Sequence, residues 1–355
     1  MASLANITFE LRLVLKILAG LLAGVFVLFL LYSGFVFAKN QFFPEPPPPP
    51  EVKFGKIPDV SFPLQEKSSV GFKVNTKSGD LPADFPDRIK VYKNKGFEPS
   101  LTALQDARSR VEGLLFNNRE EKVSETTFRW AKVTGETLSL DIYTNDFTVD
   151  SNFLFFPEVY SSGSFALTKD RLTSVITAFL GGLEIDVSNF DFDVTRVKYY
   201  KIANNTLEQV ESQNDAQIAR VDLFQKRVDD KPIFYPEYNG STMHFFIGER
   251  EGALQITKAE FYQHITNAEE SSTYPIIPVQ KALDDLARGK GLILTEKPLF
   301  SKTFEITDVN LVYYYGKNDT GYLNPVYVFY GSDFFAIVNA LSPDLISNET
   351  DGTNN

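Results

Sequence analysis

The chain of 355 residues contains no cysteine, so disulfide bonds, thiolate catalysis and cysteine-ligated zinc are excluded. Histidine is scarce as well: the only two, His244 and His264, have no second metal ligand at the spacing that metal motifs use. No G-x-S-x-G elbow, S-x-x-K, H-E-x-x-H or Walker-type loop occurs. The sequence therefore predicts no catalytic residue, no metal ligand and no cofactor, and it favours a protein that is not an enzyme.

Positive charge is also in short supply, with 35 lysines and arginines against 46 aspartates and glutamates and a net charge of -11. Proteins bind nucleic acids through clustered lysines and arginines, and no such cluster occurs, so a nucleic-acid partner is excluded. Acidic residues gather at Glu184, Asp186, Asp191 and Asp193. A calcium loop needs a tight turn with glycine, which this segment lacks, so a solvated surface is favoured and calcium binding stays open.

One long apolar run stands out from this composition, the 22 uncharged residues Ile17–Ala38. As a helix rising about 1.5 Å per residue, the run reaches about 33 Å, which is enough to cross the core of a bilayer. A cleavable signal peptide is the alternative, but the run ends in bulky residues where cleavage needs small ones. We predict a single-pass transmembrane helix at 17–38.

Basic residues near the start of this run set its predicted orientation. Arg12 and Lys16 precede it closely, and positive charge is typical of the cytoplasmic side. We therefore predict a cytoplasmic tail, 1–16, and an extracytoplasmic C-terminal domain. Gly20 and Gly24 have the G-x-x-x-G spacing at which two membrane helices can pair, which makes them possible helix-pairing residues.

After the anchor, helical and strand patterns alternate. The proline run Pro46–Pro50 predicts a stiff, extended spacer. Apolar residues at helical spacing predict helices at 101–115, 168–183 and 279–286, and a capping-box pattern at Thr257–Glu260 predicts a short helix through Ile265. Alternating segments between these helices predict antiparallel strands, so we expect an α+β fold of repeated modules. The predicted organisation is a Pro-rich linker at 39–52, α+β modules at 53–160, 161–256 and 257–341, and a disordered tail at 342–355.

Aromatic residues crowd the last predicted strands. Alternation along a strand sends every second side chain to the same face, which puts Tyr314 on one face with Val328 and Tyr330. Tyrosine-rich faces that stay exposed often bind partners, so these three residues form a possible partner surface. The alternative is that this face is buried in the core.

The C-terminal part carries a resemblance to a known family. The segment YPIIPVQKALDDL from Tyr274 is followed by Gly289, by LVYYYGKNDTGYLNPVYVFYG from Leu311 and by FFAIVNAL from Phe334. In this order of helix, aromatic strand, polar loop and strand, the chain resembles the YycH/YycI-type extracytoplasmic regulators of a bacterial sensor kinase, and more loosely the PepSY-like modules. The resemblance covers about 70 residues, and it implies an anchored, exported, non-enzymatic α+β domain.

The sequence thus leads to a functional hypothesis. We expect a membrane-anchored, extracytoplasmic binding or regulatory protein of a bacterial envelope, whose partner is a membrane or envelope protein such as a sensor kinase. The membrane itself is the second expected partner, through Ile17–Ala38. The alternatives are a cell-envelope hydrolase that acts on glycan through paired carboxylates, and a structural surface component.

Overall fold

The computed structural model of the chain describes residues 18, 21, 22, 24–35, 49–60, 62, 63, 70–97, 99–163, 167–295, 303–318 and 320–347. The chain forms two compact units, Met1–Pro49 and Pro50–Asn355.

The first unit is helical at residues 18, 21, 22 and 24–35, and the side chains of residues 24–35 are exposed. No helix in the described part of the chain combines the length and the apolar character that crossing a membrane requires. This finding contradicts the predicted single-pass helix at 17–38, and with it the predicted cell-membrane localisation with an extracytoplasmic C-terminal domain. The tail 1–16, the ends Ile17 and Ala38, residue Gly20 and linker residues 39–48 lie outside the described residues.

The second unit is built mainly from strands. In its described part the strands are β1 (Ile57–Pro58), β2 (Gly71–Val74), β3 (Arg88–Asn94), β4 (Arg119–Lys122), β5 (Thr127–Ala131), β6 (Thr137–Asp141), β7 (Phe147–Asp150), β8 (Arg196–Ala203), β9 (Thr206–Val210), β10 (Ile218–Asp222), β11 (Ile233–Phe234), β12 (Met243–Arg250), β13 (Ala253–Phe261), β14 (Thr266–Pro275), β15 (Leu292–Thr295), β16 (Thr303–Ile306), β17 (Asp308–Tyr314), β18 (Tyr322–Tyr330), β19 (Phe334–Asn339) and β20 (Ile346–Ser347). The α-helices of this part are α1 (Ala103–Gly113), α2 (Lys169–Gly182) and α3 (Val279–Ala287).

Nine strands form one antiparallel sheet in the order β4-β5-β6-β7-β13-β12-β10-β8-β9. One face of this sheet is apolar and packs against α1 and α2. Its centre is a stack of phenylalanines in which the rings of Phe147 and Phe261 lie 4.8 Å apart and Phe179 of α2 packs on Phe147 at 5.6 Å. Burial of such large aromatic side chains holds the helices on the sheet.

The opposite face of the nine-stranded sheet carries charged residues. Arg220 and Asp222 alternate with the buried Ala219 and Val221 along β10, so they point away from the helices. His244 lies opposite Asp222 in the β10–β12 register and shares their face. The charged residues of the candidate site lie on this face.

A second sheet, of seven strands, contains β11-β17-β18-β19-β15, with β3 paired to both β18 and β14. Its buried face includes Tyr313, Tyr327 and Phe329, and it packs on α3 through residues such as Leu286. The short β11 joins this sheet by parallel pairing with β17. Because β10 belongs to the first sheet and β11 to the second, the segment between them connects the two sheets.

The predicted fold class is wrong. Strand makes up 40 % of the residues and helix 23 %, so the protein is mostly β-sheet rather than an α+β chain of repeated helix-plus-sheet modules behind a transmembrane helix. The nine-stranded sheet takes strands from 119 to 261 and thus continues across residues 160/161 and 256/257, where we expected modules to meet. Sequence-distant strands pair here, such as β7 with β13, and such pairing leaves no local signal.

The predicted helix at 257–265 is a strand instead. β13 pairs with β12 on one side and β7 on the other, and its buried residues Thr257, Ala259 and Phe261 alternate with the less buried Lys258 and Glu260. A capping-box pattern contributes only a local preference, which two flanking strands override. The other three predicted helices are confirmed as α1, α2 and α3. Residues 342–347 include a 3-10 turn and β20, where we predicted a disordered tail, and 348–355 lie outside the described residues.

Candidate functional site

A cavity of about 250 Å³ lies where the two sheets meet. Its lining comes from three segments: residues 191–196 at the start of β8, residues 224–240 between β10 and β12, and the β18–β19 hairpin with Tyr330 and Phe335. Ligand sites in proteins are usually concave and lined by apolar and aromatic groups with a few placed polar ones. This cavity has that composition, and its volume lies just below the usual size range.

Aromatic rings form much of the cavity wall. Phe234 packs edge-on against Phe335 at 5.6 Å and against Tyr330 at 6.2 Å, and Tyr238 stacks on Phe335 at 4.9 Å. On the other side Phe224 lies 6.0 Å from Tyr235. Each of these contacts fixes the orientation of a ring, so the wall is pre-formed.

Two lining residues, the buried Tyr235 and the half-buried Gln225, are hydrogen-bonded to each other. The hydroxyl of Tyr235 donates to the side-chain oxygen of Gln225 at 3.1 Å, and the backbone N–H of Gln225 donates to that hydroxyl at 3.3 Å. The Gln225 amide nitrogen donates in turn to the backbone oxygen of His264 at 2.8 Å. Burial raises the pKa of Tyr235, so its hydroxyl keeps the proton that it donates.

A charged network lies beside the cavity and shares Glu237 with its wall. The guanidinium of Arg220 donates to Asp222 at 2.7 Å and to Glu237 at 2.6 Å, and Asp222 has no exposed surface. The backbone N–H of Ser241 also donates to Asp222, at 3.2 Å. Burial alone would lower the pKa of Arg220, but the charges of the two carboxylates raise it above its ordinary value, so the arginine stays charged.

Gly240 allows the loop to approach this network. A Cβ atom at this position would lie 2.8 Å from a carboxylate oxygen of Glu237 and 3.1 Å from the Arg220 guanidinium. Any side chain here would press on the Arg220–Glu237 bond. The loop 236–241 therefore depends on a glycine where it passes over β10.

Asp222, Glu237 and His244 bring potential metal-ligand atoms within 4.8 Å of one another. Two features oppose a metal ion there. Arg220 already lies between the two carboxylates as their shared cation, and the Nδ1 atom of His244 lies 3.0 Å from the backbone oxygen of Ser241, to which it would donate. Burial and the charge of Arg220 lower the pKa of His244, which favours a neutral ring. The cluster is best described as a buried ion-pair network.

The charged side chains of the cavity wall have different kinds of partner. Arg196 donates to the side-chain oxygen of Asn239 at 2.8 Å and lies over the Phe224 ring at 5.3 Å, and Arg227 donates to the backbone oxygen of Asp230 at 3.1 Å. Within the described part of the chain, neither forms a salt bridge. Of the lining carboxylates, Glu237 is paired with Arg220, whereas Asp191 accepts the backbone N–H of Asp193 and, like the two arginines, keeps its charge.

The predicted partner surface falls partly in the core. Tyr314 and Val328 are buried against Val60 and Leu292 on the second face of the seven-stranded sheet, and only Tyr330 is half-buried and reaches the cavity. No finding tests their role, so it stays a prediction. Gly24 lies in the helical part of the first unit, with open space where a side chain would stand.

Two of the acidic residues that cluster between Glu184 and Asp193 accept local hydrogen bonds. The Asp186 carboxylate accepts the backbone N–H and the hydroxyl of Ser188, which lower its pKa, and Asp191 accepts the N–H of Asp193. Both side chains cap short 3-10 turns. Such bonds explain why aspartates stand at these positions without reference to calcium.

Sequence reasoning missed the residues of the charged network. Arg220 and Asp222 lie two positions apart in a strand, which predicts a shared face, but this spacing is usual on a solvated sheet surface. Glu237 comes 17 positions after Arg220, in a segment without periodicity. Only the fold brings its carboxylate to Arg220, so no local signal could have identified the site.

Comparison with known proteins adds little. No protein-family model matches the chain, and no curated protein matches it. Solved structures that match include an uncharacterized protein from Eubacterium rectale, with 13 % sequence identity and a TM-score of 0.41 over 76 % of this chain and 89 % of that chain. The resemblance to the YycH/YycI-type regulators and the partner that it implies stay predictions.

Proposed function

We propose that this chain is a non-enzymatic binding protein that takes a small ligand into the cavity between its two sheets. The observation that carries the proposal is a cavity of about 250 Å³ whose aromatic wall is fixed by ring contacts and whose loop is fixed by the buried Arg220 network. Preorganised walls lower the entropic cost of ordering side chains around a ligand.

The same residues do not favour hydrolysis. A glycosidase needs two accessible carboxyl groups, one to donate and one to accept a proton or to attack the sugar. The closest carboxylates at this site are those of Asp222 and Glu237, and Asp222 is fully buried while both share one guanidinium. We therefore do not extend the proposal to the hydrolase alternative.

The test is a fragment screen followed by protein-observed NMR on the full chain. Single-ring fragments, neutral and charged, are added one at a time, and backbone amide shifts are recorded. The proposal expects at least one fragment to shift amides in segments 191–196, 224–240 and 330–335 together. A screen in which no fragment perturbs these segments would overturn it.

A blocking variant checks that the cavity is the site. Val194 lines the cavity and is 50 % exposed, so Val194→Trp places a large ring at the mouth without disturbing the core. Val133, 83 % exposed between β5 and β6, provides the matched control Val133→Trp. Binding should be lost in Val194→Trp and kept in Val133→Trp. Equal binding by both variants would place the ligand elsewhere and contradict the proposal.

A further inference from the structure

We infer that the ligand of this cavity is an uncharged compound whose aromatic ring enters the interior of the cavity. This ligand class rests on the proposed binding function, to which it adds the charge and the ring character of the ligand. Three features of the wall support it: the sum of its charges, the hydrogen bonds of its polar groups, and its aromatic rings.

The charged groups at the cavity sum to zero. Three basic and three acidic side chains line the cavity or belong to the network beside it: Arg196, Arg220, Arg227, Asp191, Asp222 and Glu237. A charged ligand would therefore leave water without meeting a net charge of opposite sign, and the loss of its hydration would not be offset. An uncharged ligand avoids this cost.

The two lining arginines lie at the opening of the cavity rather than in its interior. Arg196 and Arg227 are both exposed to solvent, and each donates to a neutral oxygen of the protein, that of the Asn239 side chain or the Asp230 backbone. Water and salt screen charges that are exposed in this way. These guanidinium groups therefore do not determine the charge of a group that binds deeper in the cavity.

Polar groups further inside the wall already have partners. The Tyr235 hydroxyl and the Gln225 side chain are bonded to each other, and the Gln225 amide nitrogen donates to the backbone oxygen of His264. Within the described part of the chain, no lining residue has a buried side-chain nitrogen or oxygen without a hydrogen-bond partner. The interior therefore requires no polar group from a ligand.

Aromatic side chains supply much of the remaining wall. Five rings line the cavity: Phe224, Phe234, Tyr235, Tyr330 and Phe335. The ring contacts of Tyr330, Phe335 and Phe234 lie between 5.2 and 6.2 Å, a range in which rings attract one another in edge or offset geometry. An apolar cavity of about 150 Å³ holds benzene. The 250 Å³ available here therefore accommodates one substituted ring.

The test of charge uses pairs of probes that have nearly the same shape. Benzamide and benzoate form one pair, and toluene and N-methylpyridinium form the other. Each probe is titrated into the full chain at pH 7, and the amide shifts of segments 191–196, 224–240 and 330–335 give its affinity. We expect the uncharged member of each pair to bind at least about tenfold more tightly, because the ion loses hydration without a net opposite charge. The affinity for benzamide should not change with salt.

The test of ring character changes first the probe and then the wall. Cyclohexanecarboxamide carries the amide of benzamide on a saturated ring and should bind about threefold more weakly, because contacts between aromatic rings add to the effect of buried area. Phe335→Leu removes one ring of the wall and should weaken benzamide binding by about the same factor. Phe155→Leu, at an exposed position outside the lining, should bind benzamide as the unmodified chain does.

The outcomes distinguish the ligand class from the function on which it rests. If benzoate binds as tightly as benzamide, or N-methylpyridinium as tightly as toluene, the ligand is not required to be uncharged, while the binding function stands. If cyclohexanecarboxamide binds as tightly as benzamide, or Phe335→Leu leaves benzamide binding unchanged, the aromatic part is wrong. If no probe and no fragment of the screen shifts the cavity segments, the binding function itself is overturned.

Discussion

Arg220 donates a 2.6 Å hydrogen bond to Glu237, and this bond joins β10, an inner strand of the nine-stranded sheet, to the loop that lines the cavity. Arg220 is itself held by Asp222, which has no exposed surface. The position of the loop is therefore set by an ion pair whose other end is in the protein interior. Stability and ligand binding should depend on the same guanidinium.

The first prediction is that Arg220→Met lowers the free energy of unfolding by about 3–5 kcal/mol. The substitution keeps an apolar stem of similar length but leaves the buried Asp222 carboxylate without its cation. Urea denaturation at pH 7 measures the change. Fragments that bind the cavity in the NMR screen should bind this variant more weakly, because the loop 236–241 loses its hydrogen bond to β10.

Arg108→Met is the matched control for this prediction. Arg108 donates two hydrogen bonds to a single carboxylate, that of Glu120, at 2.7 and 2.8 Å, and 43 % of its side chain is exposed. Exposed pairs contribute at most about 1 kcal/mol, so this variant should stay close to the unmodified chain. A loss in Arg220→Met no larger than that in Arg108→Met would refute the view that the network supports the fold.

The second prediction concerns the glycine of the loop. Gly240→Ala places a methyl group 2.8 Å from a Glu237 oxygen, so Glu237 must move and its bond to Arg220 weakens. We expect a loss of about 1–3 kcal/mol in unfolding free energy. Gly113→Ala, in α1 with open space around it, should instead gain up to about 1 kcal/mol. Thermal unfolding of both variants checks the opposite signs.

The elements that the sequence predicts well are those with a strong local period. In α2 the buried residues Leu172, Ile176 and Leu180 recur every four positions, and a single amphipathic stripe is enough to place the helix. β13 shows the opposite case, because its helix-like start at Thr257 is overridden by pairing with β12 and β7. The sheet-forming partners of a strand lie far along the chain, so their effect is invisible locally.

The candidate site is less predictable for the same reason. Tyr330 was singled out for its place in an aromatic strand, and it does line the cavity. Arg220, Glu237 and Gly240 matter only because the chain passes from one sheet to the other and returns over β10. These residue types form no motif in the sequence, so only the fold shows that they lie together.

The third prediction is a pH dependence that comes from Asp146. Burial raises the pKa of this carboxyl to about 6. The N–H of Gln263 and the Thr144 hydroxyl donate hydrogen bonds that lower this pKa, but the effect of burial is larger. The unfolded chain releases this proton near pH 4, so between about pH 4 and 6 the folded state binds more protons. The free energy of unfolding should therefore fall as pH rises through this window, by about 3 kcal/mol in total from this group.

Asp146→Asn isolates that contribution. Asparagine can still accept the N–H of Gln263 but does not titrate, so the fall in stability between pH 4 and 6 should shrink by the amount above. Asp150→Asn, exposed on β7, removes the same formal charge and serves as the control. Urea denaturation across this pH range gives the slopes, and an unchanged slope in Asp146→Asn would show that another group is responsible.

The last prediction compares two buried tyrosines, one whose hydroxyl group is hydrogen-bonded and one whose hydroxyl group is not. Tyr235→Phe leaves the side-chain oxygen and the backbone N–H of Gln225 unpaired beneath the cavity, and should cost about 1–3 kcal/mol of unfolding free energy. The hydroxyl of Tyr314 has no hydrogen-bond partner within the described part of the chain. Tyr314→Phe should therefore be neutral or stabilising, because it removes a buried polar atom and keeps the ring. Both variants are compared by urea denaturation, and equal losses would show that the hydrogen bonds between Tyr235 and Gln225 do not determine the cost.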